Sequence, residues 1–452
     1  MMPKIRSAPS LTVSFAWTLA GSLAYAGSQW TMIILFAKLG TAAMVGQYAF
    51  AAAVAYPVSL VANLQLRAVF VNDHEGRYPF RRMLGARYLL AAFAWILLPC
   101  ICLCMRSNAQ TTGLIVLLGT AMLIDSLSES YYSLLQKCER MDRIGRSQMF
   151  RSPLCLAIAA VALYFTHSVL YAVCGLLFGR LMILMLYDTA PETFRIGRIN
   201  SEIRDDLPVS NSPLKRFWPQ WSLKSQVEMI WVAVPLGAVS VLASFNLNIP
   251  RYVIEHYLGA HELGIYSALS YLPYAAVLFA SAIGYVTFAR LGKFYFERDI
   301  SGFKALLGRM VLIASGIGVV GFAVCATAGK LILRILYRPE YAEHSDLLLW
   351  LVAVAAMAGV ATCVGVAMTA ASQFRPQIPL FLIISVVSAA TAFGLVPRMG
   401  LYGAAIAGLA SVTVQAAGSY WIVRRALIKR MLGAHEDSRD ASVVASGLVS
   451  ES

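Results

Sequence analysis

AKLGTAAMVGQYAFAAAVAYP (37–57) and HYLGAHELGIYSALSYLP (256–273) are two copies of one pattern. Each gives Leu-Gly, four or five further residues, Gly-x-Tyr, and a proline seven to nine residues beyond the tyrosine. Each Leu-Gly pair separates two long apolar stretches and so reads as a turn between membrane-crossing helices. Counting outward gives spans at 13–38, 44–69, 85–105, 112–136, 150–166 and 169–187, then at 230–257, 263–289, 307–328, 346–371, 378–397 and 400–423. The Leu-Gly turn joins the first and second span of each half. Six is an even number, so both halves enter the membrane from the same side and the repeats are parallel.

Composition agrees with a membrane chain. Of 452 residues, 59% are hydrophobic and only 13% charged, with a mean hydropathy of +0.68. A soluble domain carries about a quarter charged residues, so a soluble enzyme is excluded. Continuous apolar runs without period-two alternation exclude a transmembrane β-barrel. The expected fold is an all-α polytopic membrane protein of about twelve helices in two six-helix bundles around a central cavity. Its divisions are an N-terminal bundle (1–187), a basic linker (188–229), a C-terminal bundle (230–424) and a disordered tail (425–452).

The net charge of +14 follows the loops. With an internal amino terminus, the internal segments and Arg151 at a span edge hold 26 of the 37 basic residues. External loops hold five: Arg106, Lys330, Arg334, Arg338 and Arg398. That bias places both termini in the cytoplasm and removes nucleic acid as the reason for the charge. The linker, with Pro191, Arg195, Arg198, Arg204, Pro208, Pro213, Lys215, Arg216 and Pro219, falls on the same side.

Ionisable groups at bilayer depth cost about 2.5–3.5 kcal/mol each on insertion scales and mark function by default. Arg87, Arg309 and Lys38 lie near span ends and are expected to snorkel. Arg67 follows Asn63 and Gln65, and in an unbroken helix Asn63 and Arg67 share a face. Asp125 sits near mid-bilayer on a helix made polar by Ser126, Ser128 and Ser130, with Glu129 one turn on; Arg180 lies mid-way along the sixth span. Two readings stand: a structural ion pair between the fourth and sixth spans, or a coupling carboxylate (Asp125, Glu129) with arginine as substrate clamp. In the seventh span Pro250 is expected to kink the helix beside Asn248 and Arg251. The repeat sets Asn248 opposite Gln29. An arginine there suits a phosphate or carboxylate, because its fork donates two parallel hydrogen bonds.

No GxxxxGK[ST] loop, metal-ligand spacing or catalytic constellation is visible. No enzyme activity, cofactor or metal is expected, and the eight cysteines read as small apolar residues.

The stretches 27–51, 245–273 and 395–411 resemble the polysaccharide-repeat-unit flippases of the multidrug/oligosaccharidyl-lipid/polysaccharide flippase superfamily. The most specific match is Asn-x-x-Arg…Leu-Gly…Leu-Gly-x-Tyr, met by Asn248, Arg251, Leu258, Gly259, Leu263, Gly264 and Tyr266. Pro250 stands where many members carry aspartate. The resemblance implies a bacterial cytoplasmic-membrane transporter that turns undecaprenyl-diphosphate-linked oligosaccharides to the outer leaflet for surface polysaccharide synthesis. Arg251, Arg180 and Arg67 would hold the headgroup, with Asn248, Gln29 and Asn63 as neutral contacts. Membrane lipids, a polysaccharide polymerase and glycosyltransferases are the implied partners. One chain already holds both bundles and can act as a monomer. Two rivals remain at this point. An ion-coupled multidrug antiporter of the same superfamily would use Asp125 and Glu129, and a non-transporting scaffold of a glycan-synthesis complex would tolerate loss of the arginines.

Overall fold

In the computed structural model, residues 11–73, 75–190 and 218–449 are described. They form fourteen α-helices and no strand. These are α1 (Leu11–Leu39), α2 (Ala42–Asn63), α3 (Leu66–Val71), α4 (Phe80–Cys104), α5 (Ala109–Lys137), α6 (Met141–Thr166) and α7 (Val169–Ile183), which continues into a π-helical turn, Leu184–Asp188. Then come α8 (Leu223–Tyr271), α9 (Tyr274–Phe296), α10 (Ile300–Leu336), α11 (Pro339–Ala342), α12 (Ser345–Ala370), α13 (Gln377–Met399) and α14 (Leu401–Val449). Ten stretches among these residues are long and apolar enough to cross a membrane, and the bent pair Leu223–Pro235 and Gly237–Tyr271 supplies an eleventh. The first of the twelve expected spans corresponds to α1. At 29 residues it is long enough to cross a membrane, and it is on average as apolar as α2. The linker residues 191–217 lie outside the described residues.

Two compact units are present. The first comprises Met1–Asn248 with Gly259–Ile265, and the second Ile249–Leu258 with Tyr266–Ser452. The expected division ended the linker at Met229 and put 230–424 in the second bundle. Instead Met229 and Ala233 of α8 are buried in the first unit's core with Leu64, Leu66, Phe70, Phe80, Met83 and Tyr131. The second unit's core gathers Leu291, Phe303, Met310, Cys363, Met368, Ile384 and Val423.

The Leu-Gly pairs behave as turns. Gly40 ends α1 by donating its N–H to the Phe36 carbonyl at 2.9 Å, and Thr41 caps α2 by accepting from the Met44 N–H at 3.3 Å. In the second copy Gly259 adopts φ 83°, ψ 178° inside α8, a conformation essentially reserved for glycine. The Gly-x-Tyr glycines meet each other. A side chain on Gly46 would strike the Ala260 carbonyl, and one on Gly264 the Ala42 carbonyl. Each collision lies four residues before the opposing glycine, so the repeat is written into a reciprocal backbone approach of the small-residue kind that packs helices in lipid.

Three helices differ from expectation. The span at 44–69 is broken, because Leu64 and Gln65 take left-handed φ values of 37° and 55° between α2 and α3. Residues around Pro250 keep helical dihedrals. The departures in α8 are Gly259 and a 51° bend between Pro235 and Gly237. Finally, α14 runs on to Val449, whereas the span was expected to end near 424 with disorder beyond; the ALIKRML stretch (426–432) is rich in strong helix formers.

Candidate functional site

The first unit holds a polar network inside its helices. Asp125 on α5 carries two arginines: Oδ2 lies 2.9 Å from Arg180 Nη1 on α7, and Oδ1 accepts from Arg151 Nη1 on α6. Arg151 also donates to the Tyr132 hydroxyl and stands 3.9 Å from Asp188 Oδ2. Ser147 donates to Asp188 Oδ1 at 2.6 Å and shares a 2.8 Å hydrogen bond with Tyr132. The cluster thus balances two carboxylates against two guanidinium groups, which is how buried charge survives in a low dielectric. Asp125, Arg151 and Arg180 border a cleft with Tyr25, Ser28, Gln29 and Tyr48, enclosing about 30 Å³, room for a water or two. Gln29 reaches Tyr25 at 3.1 Å there. The ion pair between the fourth and sixth spans is therefore present, and Gln29 lies beside it.

A second set surrounds the break in the second span. Arg67 Nη1 is 2.7 Å from Glu129 Oε2, and its Nε donates to Gln136 Oε1 at 2.7 Å. The expected shared face of Asn63 and Arg67 does not form, since the left-handed residues between them turn the chain. Asn63 instead meets Arg87, whose Nη1 donates to the Asn63 side-chain oxygen at 2.8 Å and to the carbonyls of Ala62 and Asn63 at 3.0 and 3.1 Å. Ser130 and Ser126 accept at 3.1 and 3.3 Å. Arg87 is 1% exposed, so it does not snorkel. It caps the C-terminal carbonyls of α2, where a cation also suits the helix dipole. That cap stabilises a break that two non-glycine left-handed residues would otherwise disfavour. Lys38 and Arg309, by contrast, are exposed.

The last pair of candidates lies on α8. Asn248 is buried and donates to the Ser244 carbonyl at 2.8 Å. Arg251, in the second unit, is half-buried and stacks over the Tyr271 ring at 5.8 Å. Glu255, one turn on, has a buried Oε2 without a hydrogen-bond partner. Among the described residues no cluster of His, Cys, Asp or Glu could hold a metal ion. Cysteines 102, 155 and 363 are buried, while 100, 104 and 174 are exposed on their helices.

Sequence reasoning missed Arg151, Asp188 and Arg87. Arg151 continues the run Arg140, Arg143, Arg146 and was assigned to a span edge. Because α6 begins at Met141, it lies ten residues inside a helix. The i, i+4 spacing of Ser147 and Arg151 is the one local signal of a shared polar face. Asp188 counted as linker until the π-helical turn carried it into the bundle.

Comparison with known proteins sets this geometry in context. No family profile matches the chain. The capsular polysaccharide biosynthesis protein CapF of Staphylococcus aureus is 24% identical over 412 residues, 91% of this chain and 99% of its own. Among solved structures, a multidrug resistance MATE family transporter of the MOP superfamily, in an inward-facing conformation, superposes with a TM-score of 0.70 at 13% identity, covering 94% of this chain and 99% of that one. The lipid II flippase MurJ, in an inward closed conformation, superposes with a TM-score of 0.65 at 15% identity over 95% and 93%. The chain is an all-α, multi-pass membrane protein with the fold shared by MATE transporters and the flippase MurJ.

Proposed function

We propose that this protein is a flippase that turns undecaprenyl-diphosphate-linked oligosaccharide repeat units from the inner to the outer leaflet of a bacterial cytoplasmic membrane, by alternating access, for surface polysaccharide synthesis. It performs no covalent chemistry. Both termini lie in the cytoplasm, and the polymerase and glycosyltransferases of the same polysaccharide act before and after it. The observation that carries the reading is the state of the acidic residues. Asp125 is held by Arg151 and Arg180, and Glu129 by Arg67. The two carboxylates that the antiporter reading assigned to coupling are therefore paired with arginines, which supports an anionic cargo. The name of the CapF relative supports a polysaccharide, and the likeness to MurJ supports a lipid-linked one.

The physical task fits. A diphosphate cannot cross about 30 Å of hydrocarbon without compensation for its lost hydration, and guanidinium groups supply that compensation with paired hydrogen bonds. Arg251 is the first candidate ligand, with Asn248 one turn earlier. Within the first unit, Arg180 and Arg67 would bind phosphate oxygens only by exchanging Asp125 and Glu129 for them, with Gln29 and Asn63 as neutral contacts. Asp125 and Glu129 act in this reading as internal counter-ions more than as coupling sites. Substituting Arg251→Ala is expected to abolish polysaccharide export at unchanged protein level. Normal export by that variant would overturn the assignment.

A further inference from the structure

The apolar part of α14 ends in an exposed stripe of mixed character. Trp421, Arg424, Arg425, Ile428 and Lys429 recur at three- and four-residue intervals, so they share one side of the helix, and they line one groove of about 400 Å³. Trp421 and Ile428 are 59% and 45% exposed, and the three cations beside them are exposed as well. The Arg425 guanidinium sits over the Trp421 ring at 5.5 Å. The next cation, Arg430, turns away and stacks on Tyr295 at 4.8 Å and Phe296 at 5.9 Å. That contact fixes this end of α14 against the end of α9.

Depth gives the stripe its meaning. The apolar stretch runs Leu401–Arg430. At 1.5 Å per residue, Trp421 stands about 30 Å from Leu401, the thickness of the hydrocarbon core. The cations follow within about 12 Å more, at headgroup level. A topological charge bias asks only for basic residues here. It does not ask for a tryptophan and an isoleucine on the same stripe, with an arginine laid over the indole. An aromatic ring at the boundary, an aliphatic side chain beside it and three cations, without a carboxylate among the described lining residues, match a lipid that carries negative charge.

We propose that this face binds an anionic phospholipid of the cytoplasmic leaflet, its phosphate among Arg424, Arg425 and Lys429 and its acyl chains along Trp421 and Ile428. The leaflet, but not the site, rests on the orientation given above. The test is native mass spectrometry of the full chain, offered phosphatidylglycerol, phosphatidylcholine or undecaprenyl diphosphate. The unaltered chain should retain phosphatidylglycerol at least several-fold over phosphatidylcholine, and R424Q/R425Q/K429Q should remove most of that preference. Equal retention of the two phospholipids by the unaltered chain overturns the proposal without any variant. So does a triple variant that keeps the preference, or one that loses only undecaprenyl diphosphate, which would make the groove a substrate contact. Absence of lipid selectivity with export intact refutes this site alone, whereas an exporting R251A chain refutes the flippase reading alone.

Discussion

Asp125→Asn separates the two roles that the sequence left open for this carboxylate. The substitution keeps size and one acceptor but removes the charge shared by Arg151 and Arg180. Those arginines are 10% and 7% exposed in their side chains. After the change they are left with Asp188, 3.9 Å from Arg151. Breaking a buried pair by removing one partner costs about 3–5 kcal/mol. Asp125 is 23% exposed to the cleft, where water offsets part of the loss, so the lower end, about 3 kcal/mol, is expected. At roughly 2–4 °C per kcal/mol for a unit of this size, the melting temperature should fall by about 6–12 °C. Intrinsic tryptophan fluorescence of the detergent-solubilised protein during heating reads this directly. D125N/R180Q restores one arginine per carboxylate, and its loss should be smaller than the sum of the single losses by about 1–3 kcal/mol. A D125N chain that melts within about 2 °C of the parent yet no longer exports would refute the structural role and make Asp125 a titrating group.

Arg87→Met strips the cap from α2 and leaves the Ala62 and Asn63 carbonyls unpaired. We expect a loss of about 2–4 kcal/mol in the same melt, with Arg87→Lys in between because an ammonium carries fewer donors. Gly46→Ala places a carbon against the Ala260 backbone and should cost about 1–3 kcal/mol as overpacking; unchanged stability would show that the two helices are not in backbone contact. Glu129→Gln should change the melt by less than about 1 kcal/mol, since both partners are about a third exposed and such pairs contribute little. Any strong export defect in that variant is then functional. Asn108→Ala removes the cap that accepts from the Thr111 N–H at 2.7 Å and should lower stability by about 1 kcal/mol.

What was legible in the sequence was mostly local. A Leu-Gly pair between apolar runs states its own turn, and Gly40 and Gly259 make those turns. Charges such as Asp125 and Arg180 announce themselves against an apolar background, and partnership follows because few other partners exist at that depth. The other features depend on contacts distant in sequence. Leu64 and Gln65 carry no sign of left-handed backbone, and the arginine that stabilises the break is more than twenty positions on. The same glycines that read as pattern in Gly-x-Tyr reveal their role only when Gly46 and Gly264 face each other's helices. The start of α8 joins the first unit because Met229 and Ala233 find an apolar core there, which no count of spans could show. Arg151 was hidden by resembling its neighbours.

The central claim is that this chain carries a lipid-linked oligosaccharide across the membrane. Its most direct test is analysis of lipid-linked glycans in the native host after depletion of the protein, in a strain shown to lack a second flippase. The account predicts that undecaprenyl-diphosphate oligosaccharide accumulates on the cytoplasmic leaflet while surface polysaccharide is lost, with the mass of the glycolipid giving the repeat unit. Normal surface polysaccharide and no accumulated glycolipid would contradict it.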